Sequence, residues 1–266
     1  MNCTNCGGMM VSKGNGRFKC KYCGNEMVDS SFVAPTPPPA SAPRNVSAPV
    51  TQSIAHSGSD VFEKNIRGVA EITCTYAGSR SAGSGFLVDR NGLLLTNTHV
   101  VTNESNGYAP CRNITVRLAG EVVGATVLAL GDDRGGHGSG DDLALLRLDR
   151  VPSGATVVGI ADFADVRIGE AVYVIGNSLG EGTCITAGIV SDKSRQVEGH
   201  TLLMTDCASN PGNSGGPIFN EQGLAIGAIV AGIPSAKGMN YAVPANTILR
   251  FLRSEGVYIR EQQSAW

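Results

Sequence analysis

Residues 210–220 read "NPGNSGGPIFN", with three glycines and two prolines packed around one serine, Ser214. Glycine loses more backbone freedom on folding than any other residue, so this density needs a reason. One reading is a tight turn between two strands. The other is a backbone bent so that the N–H groups of Gly212, Asn213 and Ser214 face one hollow beside the serine hydroxyl.

A serine alcohol is a poor nucleophile at neutral pH. It needs a base to take its proton, a third group to orient that base, and donors aimed at the oxyanion. A catalytic turn therefore requires a histidine and a carboxylate elsewhere. Four histidines are present. His56 lies in a Pro/Ser/Ala-rich stretch, His137 in the glycine loop "RGGHGSG", and His200 in "VEGHTLL", which reads as a hairpin turn. His99 closes "LLLTNTHVV" and reads as the end of a buried strand, the rigid setting a general base needs. Alone, it would read as a hydrogen-bonded core histidine. "GSGDDLALLRLD" supplies the acid: Asp142 adjoins an apolar strand, where a buried carboxylate can fix an imidazole tautomer. Asp141, Asp132 and Asp133 read as solvated loop acids.

The remaining composition suits this reading. The chain has 266 residues, 42% of them apolar, enough for one large domain or two modest ones. A formal net charge of −2 gives no ground for bulk binding to nucleic acid or an acidic membrane. The longest apolar run, residues 224–233, is too short to span a bilayer. The start, "MNCTNCGGMM", lacks the basic and apolar regions of a secretory signal, so a cytoplasmic protein is expected.

From about residue 60 to 255, short apolar runs alternate with glycine-rich turns. Six fall in residues 68–149 and six in 171–245, which predicts a mainly β chain with two small barrels, about 60–150 and 160–245. One helix is expected over 246–256, capped by Asn246 and stopped by Gly256. Residues 29–58, rich in Pro, Ser and Ala, read as a flexible linker. The β-rich region is placed at 59–257, and 258–266 is a tail.

Eight cysteines are present. Cys3, Cys6, Cys20 and Cys23 form two CxxC pairs, each followed by glycine. Two such knuckles present four soft ligands, the set that structural zinc prefers. Residues 1–28 thus read as a zinc ribbon holding one structural Zn2+, folded by its metal, with a protein-docking role set above a nucleic-acid role. Cys74, Cys111, Cys184 and Cys207 are scattered and read as reduced thiols.

"GSGFLVDRNGLLLTNTHVV", "DDLALLRL", "VYVIGNSLG", "TAGIVS", "TDCASNPGNSGGPIFN" and "NYAVP" follow one another in the order found in chymotrypsin-fold serine proteases. In detail the chain resembles the high-temperature-requirement (Deg/HtrA) branch, over roughly residues 60–255. The resemblance implies a double six-stranded β-barrel with a cleft between the barrels. It also implies His99 as base, Asp142 as its orienting acid, Ser214 as nucleophile, and an oxyanion hole at Gly212 and Ser214. Asn213 stands where digestive relatives carry an aspartate, so activation by a newly cut N-terminus is not expected. A peptide-binding PDZ domain is not expected, and an N-terminal ribbon is not usual in the branch.

Position relative to Ser214 places the floor of the primary pocket at Ala208, with Ser209 beside it and Ile229, Val230 and Ala231 as its wall. No acid stands at that floor, so small or medium apolar side chains are expected before the cut bond. The chain therefore reads as a serine endopeptidase acting on proteins or peptides, with no catalytic cofactor. The alternatives are a weakly catalytic peptide-binding scaffold and a nucleic-acid-associated protein led by the ribbon.

Overall fold

The computed structural model of the chain describes residues 2–31, 57–76, 79–103, 107, 109–131, 142–197, 199–232, 238–259 and 262. His56, Asp132, Asp133, His137, Asp141 and nearly all of the linker lie outside the described residues. Two compact units separate, Met1–Thr51 and Gln52–Trp266.

In the first unit, β1 (Met10–Gly14), β2 (Arg17–Cys20) and β3 (Glu26–Val28) form an antiparallel sheet in chain order. Among the described residues its apolar core is Cys3, Met10 and Cys20, with Phe18 and Met27 against them. A core of that size cannot hold a fold by burial alone.

The second unit opens with a helix that sequence reasoning missed, α1 (Gly58–Asn65). The Asp60 N–H donates to the Ser57 hydroxyl at 3.3 Å, and the Ser57 N–H donates to the Asp60 carboxylate at 2.8 Å. This reciprocal cap was legible in the Ser57–Asp60 spacing but straddled the boundary placed between residues 58 and 59, with Ser57 read as linker.

Six strands then close the first barrel: β4 (Val69–Tyr76), β5 (Ser79–Leu87), β6 (Leu93–Thr96), β7 (Asn113–Leu118), β8 (Glu121–Leu130) and β9 (Ala144–Leu148), in the order β4-β5-β6-β9-β8-β7. Six more close the second: β10 (Ala171–Asn177), β11 (Thr183–Val197), β12 (His200–Thr205), β13 (Pro217–Asn220), β14 (Ala225–Gly232) and β15 (Asn240–Pro244), in the order β10-β11-β12-β15-β14-β13. The C-terminal helix α3 (Ala245–Ser254) follows.

Side chains alternate faces along a strand, and on the strands between the barrels both faces are buried. On β6, Leu94 joins the interior of the first barrel, while Leu93 and Leu95 join the layer between the barrels. On β9, Ala144, Leu146 and Leu148 face the same interior and Leu145 the shared layer. The second barrel mirrors this: Ile218 and Ile226 point inward, Phe219, Ala228 and Val230 into the shared layer. Continuous apolar runs such as residues 93–95 thus have a cause: β6, β9, β13 and β14 each serve two cores, whereas β7 alternates buried and exposed.

Some boundaries differ from expectation. β6 stops at Thr96, and His99 sits in a one-turn helix, α2 (Thr98–Val101), not at a strand end. β12 stops at Thr205, which leaves Ala208 in the following coil. Pro244, not Asn246, is the N-cap of α3; Asn246 instead accepts the Thr247 N–H at 3.0 Å. Gly256 follows that helix with φ +73°, consistent with a stop.

Candidate active site

β6 runs from its leucines into Asn97 and Thr98, polar residues that are nonetheless buried. Buried polar groups must find partners, and both find them at the start of β9. Asn97 Nδ2 donates to the Asp142 carbonyl at 2.6 Å, and the Thr98 hydroxyl to the Leu143 carbonyl at 2.7 Å. These bonds pin α2 against Asp142, whose side chain is 0% exposed. Its Oδ2 lies 2.5 Å from His99 Nδ1, and its Oδ1 accepts the His99 backbone N–H at 3.1 Å. The carboxylate therefore holds the imidazole by ring and backbone. The His99 ring keeps 26% of its surface open.

The nucleophile turn belongs to the second barrel. Gly212 has φ +101°, and a Cβ there would strike the Asn177 carbonyl. Gly215 has φ +82°, and a Cβ there would strike the Ser84 carbonyl. Both glycines are required by left-handed backbone and by close approach. The Ser214 hydroxyl donates to the Val230 carbonyl at 3.1 Å.

The N–H groups of Gly212 and Ser214 have no acceptor among the described residues. Asn213 departs from the sequence expectation: its N–H is taken by the Asn210 carbonyl at 3.0 Å. Its side chain is buried, and Oδ1 has no hydrogen-bond partner.

The expected pocket residues divide. Ala208 is exposed and Ser209 half-buried. The Ala208 carbonyl accepts the Thr186 hydroxyl at 2.8 Å, and the Cys207 carbonyl accepts Asn240 Nδ2 at 2.7 Å, so two side chains missed in the sequence hold this coil. Ile229 leaves the candidate set: it is buried in the second barrel, and its N–H and C=O are spent on Gly216 and Gly215. Val230, at the bulge between Ile229 and Ala231, keeps a carbonyl at Ser214. The Ala231 side chain lies outside the described residues. A cavity of about 680 Å³ beside Lys193, His200 and Arg250 has none of these residues in its walls, so cavity size does not mark the chemistry.

In the first unit, the sulfurs of Cys3, Cys6, Cys20 and Cys23 all lie within 4.8 Å of one another. Cys3 and Cys23 are 3.6 Å apart, Cys6 and Cys20 3.5 Å. Four sulfurs at tetrahedral Zn–S distance would sit roughly 3.8 Å apart, so the cluster fits a metal ion. Gly7 and Gly24 close the two knuckles at φ +70° and +76°. Cys23 is lowered to about 6, first by the Asn25 N–H and then by the Cys6 sulfur. The eight cysteines form no disulfide, and burial pushes Cys207 up to about 11, as suits inert thiols.

Two closed six-stranded barrels, with His99 held by Asp142 on the first and the Ser214 turn on the second, are the fold of a trypsin-like serine peptidase. Residues 83–227 match the trypsin-like peptidase domain, and the chain belongs to that family. Within it the domain is of the Deg/HtrA serine endoprotease type. It is 36% identical over 212 residues to a DegP-like periplasmic serine endoprotease of Rickettsia prowazekii, covering 74% of this chain and 39% of that protein. A DegP-like periplasmic serine endoprotease of Rhizobium meliloti is 36% identical over 173 residues, covering 63% of this chain and 32% of that one. Among solved structures, the HtrA-type protease AlgW with a tripeptide superposes with TM-score 0.63 at 28% identity, over 76% of this chain and 65% of that one. A serine endoprotease from Yersinia pestis superposes with TM-score 0.62 at 26% identity, over 77% and 69%.

The chain spans about two fifths or less of the length of these curated relatives. Their names correct one expectation. The relatives from Rickettsia and Rhizobium are named periplasmic, which points outside the cytoplasm and overturns the cytoplasmic location read from the first residues. Among the described residues, no helix is long and apolar enough to cross a membrane.

Proposed function

We propose that the chain hydrolyses internal peptide bonds of proteins with Ser214 as nucleophile, His99 as general base and Asp142 as the group that orients His99. The observation that carries this is the fully buried Asp142 carboxylate, 2.5 Å from His99 Nδ1. It fixes the tautomer in which Nδ1 carries the proton and Nε2 is the basic nitrogen. On substrate binding, the Ser214 hydroxyl turns from the Val230 carbonyl to Nε2 and attacks the scissile carbonyl. The developing oxyanion takes the N–H groups of Gly212 and Ser214, and the His99 imidazolium then protonates the leaving amine. Water repeats the sequence to release the acyl group.

Ala208 and Ser209 bring no charge to the primary pocket, so small or medium apolar residues precede the cut. Discrimination among them is mild, about 1–3 kcal/mol per methylene. Cys3, Cys6, Cys20 and Cys23 hold one structural zinc, whose role is folding the first unit; no catalytic step passes through it.

A fluorophosphonate probe, followed by mapping of cut sites in a denatured protein mixture, tests the reading. Ser214 is labelled in the wild type and Ser214→Ala is silent, with turnover lower by about four to six orders of magnitude. Cuts dominated by Arg or Lys would overturn the pocket, and labelling elsewhere would overturn the nucleophile.

A further inference from the structure

Ser84 is a polar side chain at 0% exposure, on β5 of the first barrel, with no place in the mechanism above. Its hydroxyl donates to the Gly212 carbonyl at 2.7 Å and accepts the Asn177 N–H at 2.8 Å, both in the second barrel. Its backbone is committed as well. The Ser84 N–H donates to the Ser214 carbonyl at 2.8 Å, and the Ser84 carbonyl accepts the Thr96 hydroxyl at 2.7 Å.

The carbonyls of the nucleophile turn are held one after another. Pro211 accepts from the Leu179 N–H at 2.7 Å, Gly212 from Ser84, and Asn213 from the Gly216 N–H at 2.8 Å. In a trans peptide the N–H points opposite to the C=O. The Leu179 bond therefore aims the Gly212 N–H, and the Gly216 bond aims the Ser214 N–H. The peptide between them, Gly212–Asn213, carries no oxyanion donor. Its plane sets the angle at which the two donors converge. Gly212, at φ +101° and without a Cβ, does not resist rotation of that plane. The N–H end of this peptide is held within the turn, by the Asn210 carbonyl; among the described residues the one side chain that bonds its carbonyl end is Ser84, from the other barrel.

We propose that Ser84 is a positioning residue for the oxyanion hole: its buried hydroxyl fixes the Gly212–Asn213 peptide and so holds the Gly212 and Ser214 N–H groups on a common point. Because Ser84 stands on the barrel that carries His99 and Asp142, the same bond registers the oxyanion hole to the base. The inference rests on the assignment of Ser214 as nucleophile.

The test compares wild type, Ser84→Ala and Ser84→Cys in four measurements: thermal melting, kcat and KM on a peptide, inhibition by a peptide boronic acid, and affinity for an uncleaved peptide in a Ser214→Ala background. Loss of a direct oxyanion donor costs about 10²–10³ in kcat, so misaiming two donors by loss of their clamp should cost about 10–100-fold. The expected result for Ser84→Ala is that fall in kcat, an equal fall in boronate affinity, and KM and peptide affinity within about twofold. Ser84→Cys, a weaker and longer donor, falls between the two. A packing role alone would lower the melting temperature without separating boronate from peptide affinity. Unchanged kcat in a folded Ser84→Ala overturns the proposal. If Ser84→Ala does not fold, Ser84→Cys decides: a several-fold loss of kcat matched by boronate affinity supports it, and wild-type values overturn it. Wild-type protein that fluorophosphonate does not label at Ser214 removes the underlying assignment, and the inference falls with it.

Discussion

Asp142 spends both carboxylate oxygens on one residue, Oδ1 on the His99 N–H and Oδ2 on its ring. An amide in its place can present an N–H where the ring needs an acceptor, turning the imidazole to the wrong tautomer. Asp142→Asn is therefore expected to lower kcat by about 10⁴-fold, read on a peptide substrate; a loss under tenfold would remove Asp142 from the site. A second acid shows what burial does without a partner. Glu170 Oε2 accepts the Arg167 N–H at 3.1 Å, but Oε1 is buried with no hydrogen-bond partner, and burial raises its pKa above the ordinary value. The folded protein favours the protonated acid. Its contribution to stability is present below the ordinary carboxylate range and is lost as pH rises through the raised value. Glu170→Gln should melt close to wild type at about pH 3–4 and gain on it as pH rises toward about 7. A gain that shrinks with rising pH would contradict this.

Among elements, the turn at residues 210–216 is the most constrained. Its carbonyls are tied to the 177–179 segment and to β5, and Gly215 and Gly216 pair with Ile229 of β14. A side chain at Gly212 meets a left-handed φ, which costs about 1–3 kcal/mol, and then the Asn177 carbonyl. Gly212→Ala is expected to lower turnover by about 10²-fold or more, the scale of one oxyanion donor. Gly256→Ala is the matched control. Its φ of +73° carries similar strain, but a Cβ there meets nothing within 4 Å, so melting falls while kcat stays. Equal activity losses in the two variants would mean that strain, not the hole, is being measured.

For the whole molecule, the two units differ in what holds them. Gln52–Trp266 has three apolar clusters, one inside each barrel and one between them. Among the described residues, Met1–Thr51 has three buried apolar side chains, two of them its own candidate metal ligands. Removing a metal from the second kind of unit removes its folding energy. A chelator is expected to release one zinc per chain and abolish the ribbon's amide protection from hydrogen exchange, while peptidase activity persists. Protein that binds no zinc, or chelation that stops peptide cleavage, would overturn this.

The candidate triad and the four cysteines were legible in the sequence because each breaks a local pattern. His99 and Asp142 are polar residues against apolar strands, Ser214 sits among glycines, and CxxC has no other economical reading at that spacing. The two-barrel fold was legible for a similar reason: period-two burial on both faces writes runs of leucine and valine between turns. What only the tertiary structure decided is direction. A peptide plane can rotate without any change in sequence, so nothing in "NPGNSGG" says that the Asn213 N–H is taken by the Asn210 carbonyl while those of Gly212 and Ser214 have no acceptor among the described residues. Nor does "GSG" reveal that its serine meets a carbonyl 128 residues away. The one-turn helix under His99 is too short to show a period. Its position comes from Asn97 and Thr98 finding the carbonyls of Asp142 and Leu143, partners that exist only once the barrel has closed.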